Sequence, residues 1–175
     1  MLHETITVEK CDTDATGAAA VTTSKPDLKR ELCAQLEAQL VAARASHAAA
    51  TEGATSDEAR PENDKDTRGL EQSYLARGYA QRVAELEAAL AAVGAMTVAK
   101  SPRVAIGALV KVEEKDVERA LYIAAHGGGL VLGGSITVVT PTSPMGRALL
   151  GKVVDDECEL VAGGVTRALL ITDVA

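Results

Sequence analysis

The sequence predicts an α+β protein: an N-terminal antiparallel two-helix coiled coil followed by a small antiparallel β-sheet domain with a short helix. Three observations lead there. Leucines recur every four residues at Leu28, Leu32, Leu36 and Leu40, inside an Ala-rich stretch. Further on, Tyr79, Val83, Leu86, Leu90 and Val93 step by four, three, four and three, the spacing of a heptad seam. Past Ser101-Pro102 the composition turns to short β-branched runs separated by charged or Gly-rich turns.

Taken in order, residues 1–24 are rich in Thr, Ala and Asp without a sustained period and read as a mobile extension. Ser24, followed by Pro26 and Asp27, has the makings of a helix start, with Ser as cap and an acid in the first turn. The first helix is expected to run to about Ala50, with Gly53 ending it. Helical pattern resumes near Thr67 and closes at Gly94, so the hairpin occupies residues 25–96. At 1.5 Å per residue, helices of this size make a rod roughly 40 Å long. The two apolar stripes are narrow and rich in Ala and Leu. They suit each other and are expected to leave little surface for anything else.

The sheet domain is expected over residues 101–175. Its candidate strands are Val104–Val112, Val117–Ala125, Ser135–Thr140, the Val153–Val161 region and Val165–Val174. Ser143 to Lys152, SPMGRALLGK, interrupts them and reads as a turn or two of helix.

Composition narrows the function. The chain has 175 residues with no Phe, no Trp and three Tyr, so its cores must be built from Leu, Val, Ile and Ala. A formal charge of −7 argues against a broad nucleic-acid-binding surface. Cys11, Cys33 and Cys158 are odd in number and far apart, with no CxxC, which indicates neither a zinc site nor a disulfide framework. Scattered reduced thiols suit a cytoplasmic protein. No apolar run approaches the roughly 20 residues that span a bilayer, so no membrane partner is expected.

Two motifs fail as catalytic signatures. Gly146 to Lys152 has the spacing of a phosphate-binding loop, but Val153 stands where a Ser or Thr hydroxyl must hold magnesium. His126-Gly-Gly-Gly129 resembles an esterase oxyanion loop, yet the chain has no G-x-S-x-G turn to supply a nucleophile. Neither completes an active site, and the protein does not read as an enzyme in its own right.

The acidic stretch between the helices, Thr51 to Asp66, holds Glu52, Asp57, Glu58, Glu62, Asp64 and Asp66 against Arg60 and Lys65. An acidic loop is commonly just solvated. Held at the end of a stiff rod, however, two carboxylates within one turn can share a divalent cation while supplying too few ligands to bind it alone. Such a tip works best by completing a metal site that belongs to another molecule.

With these pieces in place, the chain resembles the bacterial Gre transcript-cleavage factors. The specific element is Ser143-Pro144-x-Gly-Arg-Ala-Leu-Leu-Gly-Lys152 followed by the acidic VVDDECEL, close to the family's Ser-Pro-x-x-Arg-x-Leu-x-Gly-Lys signature. Arg82-Val83-Ala-Glu-Leu86-Glu87-Ala-Ala-Leu90 fits the second helix, and the match covers about residues 26 to 174. The resemblance implies an FK506-binding-protein-like (FKBP-like) C-terminal domain that docks on RNA polymerase at the rim of its secondary channel, with Ser143 and Pro144 as partner-binding residues. It also implies a coiled coil that enters the channel as a monomeric accessory factor and touches the nascent RNA 3′ end. Glu62, Asp66 and Asp64 are then the catalytic candidates, with Glu62 and Asp66 sharing a Mg2+ with the polymerase active site.

One departure keeps a second reading open. The family's acids form an Asp/Glu-x-x-Glu pair just before Asn. An ungapped count puts Glu62 at the first acid and Lys65 at the second, with Pro61 alongside. Asp66 and Asp64 are the nearest substitutes. The alternative is a Gre-like occupant of the channel that modulates or inhibits polymerase without stimulating cleavage. A third reading, a coiled-coil adaptor with a solubilising loop, needs no polymerase at all. Arg68, Arg77 and Arg82 are candidates for a basic strip facing RNA, and pairing with Glu71 and Glu85 explains them equally well.

Overall fold

The computed structural model of the protein describes residues 24–55 and 68–175. Apart from Ser24, the N-terminal extension lies outside the described residues. The first helix, α1, spans Lys25–Thr55 and the second, α2, spans Arg68–Ala95. Ser24 caps α1 as its sequence suggests: its hydroxyl accepts from the Asp27 amide at 3.3 Å and donates to Asp27 Oδ2 at 2.6 Å. That hydroxyl contact, and then the Arg30 guanidinium, hold the Asp27 carboxyl below the usual carboxylate range. The helix continues through Gly53 rather than stopping there. A Cβ at that position would stand 3.3 Å from the end of the flexible Gln72 side chain, so α2 passes close by.

The two helices are antiparallel: Lys29 near the start of α1 meets Gly94 at the end of α2, whereas Gln39 and Arg44, further along α1, meet Arg82 and Glu87, earlier in α2. Their seam is best filled near the base, where Leu28, Leu32, Leu36, Leu40, Leu86 and Val93 are buried. Further out it thins. Tyr79, expected within the seam, is 37% exposed; at its height the α1 residue turned toward the seam is the small Ala43.

A six-stranded sheet follows. Its strands are β1 (Leu109–Glu114), β2 (Val117–Ile123), β3 (Val131–Leu132), β4 (Ile136–Val139), β5 (Glu157–Ala162) and β6 (Val165–Val174), in the order β3-β4-β2-β1-β6-β5. A short helix, α3 (Pro144–Leu149), lies between β4 and β5. Tight turns set two of the hairpins. Lys115 and Asp116 both take positive φ between β1 and β2, and Gly163 and Gly164 do so between β5 and β6. Paired left-handed residues match the twist of antiparallel strands.

The sheet is mixed rather than wholly antiparallel, because β4 runs parallel to β2, with Leu121 opposite Thr137 and Ile123 opposite Val139. The connection between them contains the return run. The chain doubles back through β3, turns at Gly133-Gly134, and β4 then inserts between β3 and β2. Two residues of strand among five glycines left no readable period, so β3 was not expected. The Val104–Ala108 run is not strand either. Val104 is buried in a loop tied by reciprocal backbone bonds, Val104 N to Lys152 O and Gly151 N to Val104 O, both 2.8 Å.

Successive residues of a strand face opposite sides of the sheet, and both sides here are apolar. Leu121 and Ile123 join Val110, Val112, Leu149, Leu169 and Ile171 in one core, covered by α3. Tyr122, Leu132 and Val138 join Leu28, Leu32, Leu36 and Val93 in the other, covered by the base of the hairpin. The helices therefore do more than bury each other: their lower leucines seal one face of the sheet. Side chains of α1 also cover the β3 edge. Glu31 accepts from the Gly133 amide at 3.0 and 3.2 Å, and Gln35 Nε2 donates to Val131 O at 3.0 Å. Covering an edge in this way removes a site for unwanted strand pairing.

One charged residue, Glu114, is buried among the described residues, at 7% exposure. Arg167 reaches its Oε1 at 3.4 Å, while Arg119 stands 3.6 Å from Oε2, an ion pair too long to be a hydrogen bond. Two cations on neighbouring strands thus compensate one buried acid, as burial of a charge demands.

Candidate functional site

The site expected from sequence has two parts, a docking turn and an acidic tip. Glu62, Asp64 and Asp66, together with Pro61 and Lys65, lie outside the described residues. The helices that bracket them end at Thr55 and begin at Arg68. With 28 residues in α2, the rod is about 42 Å long at 1.5 Å per residue. Among the described residues no three His, Cys, Asp or Glu side chains gather where a metal ion could be held. No helix there is long and apolar enough to cross a membrane.

The turn expected to dock, at Ser143, lies wholly within the described residues. Thr140 ends the β4 run, and its carbonyl accepts from the Ser143 amide at 3.0 Å and from the Ser143 hydroxyl at 2.7 Å. The same hydroxyl accepts from the Gly146 amide at 3.0 Å, making Ser143 the N-cap of α3. Pro144 follows at the start of the helix, where its missing N–H costs no bond. Gly146 is needed for contact rather than for backbone freedom. A Cβ there would stand 2.0 Å from the Thr140 carbonyl oxygen. Arg147 donates to the Thr142 carbonyl, and Leu149 is fully buried.

The end of the motif is anchored as tightly as its start. Gly151 turns the chain at φ +79°, and Arg103 Nη1 reaches its carbonyl at 3.1 Å. Asp156 Oδ2 then accepts from the Val153 amide at 2.9 Å. Ser143, Pro144, Gly146, Arg147, Leu149 and Gly151 thus each have a local task in building the turn. Gly146 lies within the helix, so the stretch is a capped helical turn and not a phosphate-binding loop.

Ser143 is half-buried and Pro144 exposed, and each borders a groove. Beside Ser143 is a cleft of about 450 Å3 walled by Leu121, Val139, Met145 and Arg119. Beside Pro144 is a smaller one, about 300 Å3, between Arg147 and Ala148 of α3 and Glu159 and Val161 of β5. An exposed rigid corner between two concavities is suited to receive ridges of a partner surface. Leu121, Arg119 and Val139 had no readable signal as site residues, since they reach the turn only through the β2–β4 pairing.

Of the candidate basic strip, Arg82 is engaged at 3.3 Å with Gln39 and at 3.7 Å with Glu85. His126 lies exposed in the connection between β2 and β3 and shares a cleft with Glu85 of α2.

No family model and no curated protein matches the chain. Among solved structures it is similar to the GreA factor homolog 1 (Gfh1) protein of Thermus thermophilus, with 21% identity and a TM-score of 0.36 over 82% of this chain and 94% of that one. It is similar to Gfh1 of Thermus aquaticus, with 19% identity and a TM-score of 0.38 over 80% and 91% of the two chains. A third is the prokaryotic transcription elongation factor GreA/GreB from Nitrosomonas europaea, with 20% identity and a TM-score of 0.34 over 61% and 92%.

Proposed function

We propose that the protein is a Gre-type factor that enters the secondary channel of bacterial RNA polymerase and stimulates the polymerase's own cleavage of backtracked RNA. One observation supports this above the others. The Ser143–Lys152 signature folds into a rigid, exposed turn on the same body that holds the base of a long antiparallel hairpin. A protein built this way can grip a partner with one end and deliver its acidic stretch about 40 Å away with the other.

In this reading Ser143 and Pro144 dock at the channel rim and the hairpin lies inside it. Glu62 and Asp66, with Asp64 beside them, supply oxygen ligands to a Mg2+ shared with the polymerase active site. Carboxylates are the donors that this hard cation prefers, and a partial ligand set keeps it with the polymerase until the tip arrives. The metal activates water for attack on the phosphodiester. The protein is then an accessory factor, not an enzyme, that acts in the cytoplasm as a monomer and meets the RNA only at its 3′ end.

The decisive measurement is RNA cleavage in a stalled, backtracked complex with and without the protein. Faster cleavage that is lost in Glu62→Ala and in Asp66→Ala supports the reading, and no acceleration overturns it. Lys65, between Asp64 and Asp66, favours a second reading in which its charge partly neutralises the tip and the protein occupies the channel without promoting cleavage. That reading is chosen if the protein competes with a cleavage factor for polymerase yet leaves the cleavage rate unchanged, and if Lys65→Glu then raises it. Failure to bind polymerase at all leaves the coiled-coil adaptor.

A further inference from the structure

The connection that begins at His126 forms one wall of a cleft of about 540 Å3 that neither the docking turn nor the acidic tip uses. The facing wall is the hairpin, with Gln39 from α1 and Arg82 and Glu85 from α2. Leu36 and Leu86, buried in the hairpin–sheet core, lie beneath it, and the half-buried Leu130 supplies its apolar surface. Gly127 brings the loop this close: at φ +86° a Cβ would stand 2.6 Å from Leu32 Cδ1. Among the described residues, none of the His126, Gly127 and Gly128 amides donates to a protein acceptor. The Arg82 guanidinium beside them is about half exposed and has donors to spare beyond its contacts with Gln39 and Glu85.

We propose that this cleft binds a nucleoside di- or triphosphate. Consecutive unpaired amides around a left-handed glycine form a concavity that favours anions. A guanidinium fork matches the oxygens of a phosphate. His126 adds a third donor from the same wall. Glu85 and Gln39 make the site selective: the Glu85 carboxylate, 3.7 Å from the Arg82 guanidinium, and Gln39 Oε1 accept hydrogen bonds from sugar hydroxyls, which phosphate and pyrophosphate lack. Leu130 offers an apolar surface against which a base can lie. The volume falls within the range of small-molecule sites. Binding here joins the hairpin to the sheet domain and requires no polymerase, so it stands or falls apart from the proposed function.

The test is calorimetric titration of the full chain with ATP, pyrophosphate and inorganic phosphate, with amide NMR to locate the contacts. ATP is expected to saturate with Kd below about 1 mM, and pyrophosphate to bind at least about tenfold more weakly for want of the sugar and base contacts. The His126, Gly127 and Gly128 amide resonances should shift with ATP. Arg82→Ala and His126→Ala should each weaken binding about tenfold while leaving the melting temperature unchanged, both residues being exposed. Glu85→Gln should narrow the preference for ATP over pyrophosphate. No saturation with ATP, equal affinity for pyrophosphate, resonance shifts confined to other regions, or wild-type affinity in both the Arg82 and His126 variants would each overturn the proposal.

Discussion

Lys29, near the start of α1, donates to the carbonyl of Gly94 at 2.7 Å and to that of Met96 at 2.8 Å, and so closes the end of α2 from the neighbouring helix. The last turn of α2 holds no basic residue of its own to meet its unpaired carbonyls. Lys25 extends the arrangement to the Ala99 carbonyl at 2.6 Å. Lys29→Met keeps the aliphatic stem and removes the charge, and should cost about 1 kcal/mol in chemical denaturation. An unchanged midpoint would show that water closes the helix end equally well.

The docking turn makes a sharper demand. Gly146→Ala places a methyl group 2.0 Å from the Thr140 carbonyl, which also receives two bonds from Ser143. The backbone must shift, and a loss of more than about 2 kcal/mol is expected. Ser143→Ala, which removes only the cap, should lose about 1 kcal/mol. Thermal unfolding of the two variants in parallel checks both the order and the gap between them.

Glu31 and Gln35 bind the hairpin to the β3 edge and so fix the direction of the rod relative to the docking turn. Replacing both with Ala should broaden the distance distribution between spin labels placed at Ala48 and Val161, positions exposed on the two bodies. The leucine cluster beneath them is untouched, so the fold should survive with a loss of about 2 kcal/mol. A distribution as narrow as that of the unmutated pair would assign the rod's direction to the apolar cluster alone.

Asp27 provides an acid-sensitive component. Its carboxyl is held below the ordinary value of 3.8, chiefly by the Ser24 hydroxyl. A depressed carboxylate adds stability above that value, and the contribution disappears as pH falls through the folded-state pKa. Acidifying from pH 5 towards 2.5 should therefore fray the start of α1. In Asp27→Asn the loss of helix over that interval should be smaller, which circular dichroism can measure.

Much of this architecture is legible along the chain because it depends on neighbours in sequence. The four-residue leucine spacing from Leu28 to Leu40 reads as a helix face, and that face is buried. Ser24 reads as a cap because a hydroxyl satisfies amides only two or three residues ahead, and it does so; Ser143, read only as the start of a short helical turn, proves to cap α3 in the same way. The Gly163-Gly164 turn is equally local. That α1 runs on past Gly53, where Gln72 of the other helix lies close, was not legible. Nor was the partial exposure of Tyr79, whose periodicity is correct but which meets only the small Ala43 on the seam side of α1.

By itself, then, the sequence determined two amphipathic helices, a β-rich second half and a short helical turn from Ser143, because propensity and period act within a few residues. Tertiary structure alone decided that β4 lies parallel to β2, that the hairpin base seals one face of the sheet through Leu28, Leu32 and Tyr122, and that Glu31 and Gln35 cover the β3 edge. Each of these joins residues far apart in the chain. Such contacts are selected by buried area and by the need to satisfy every edge amide and carbonyl, conditions that exist only once the elements have met.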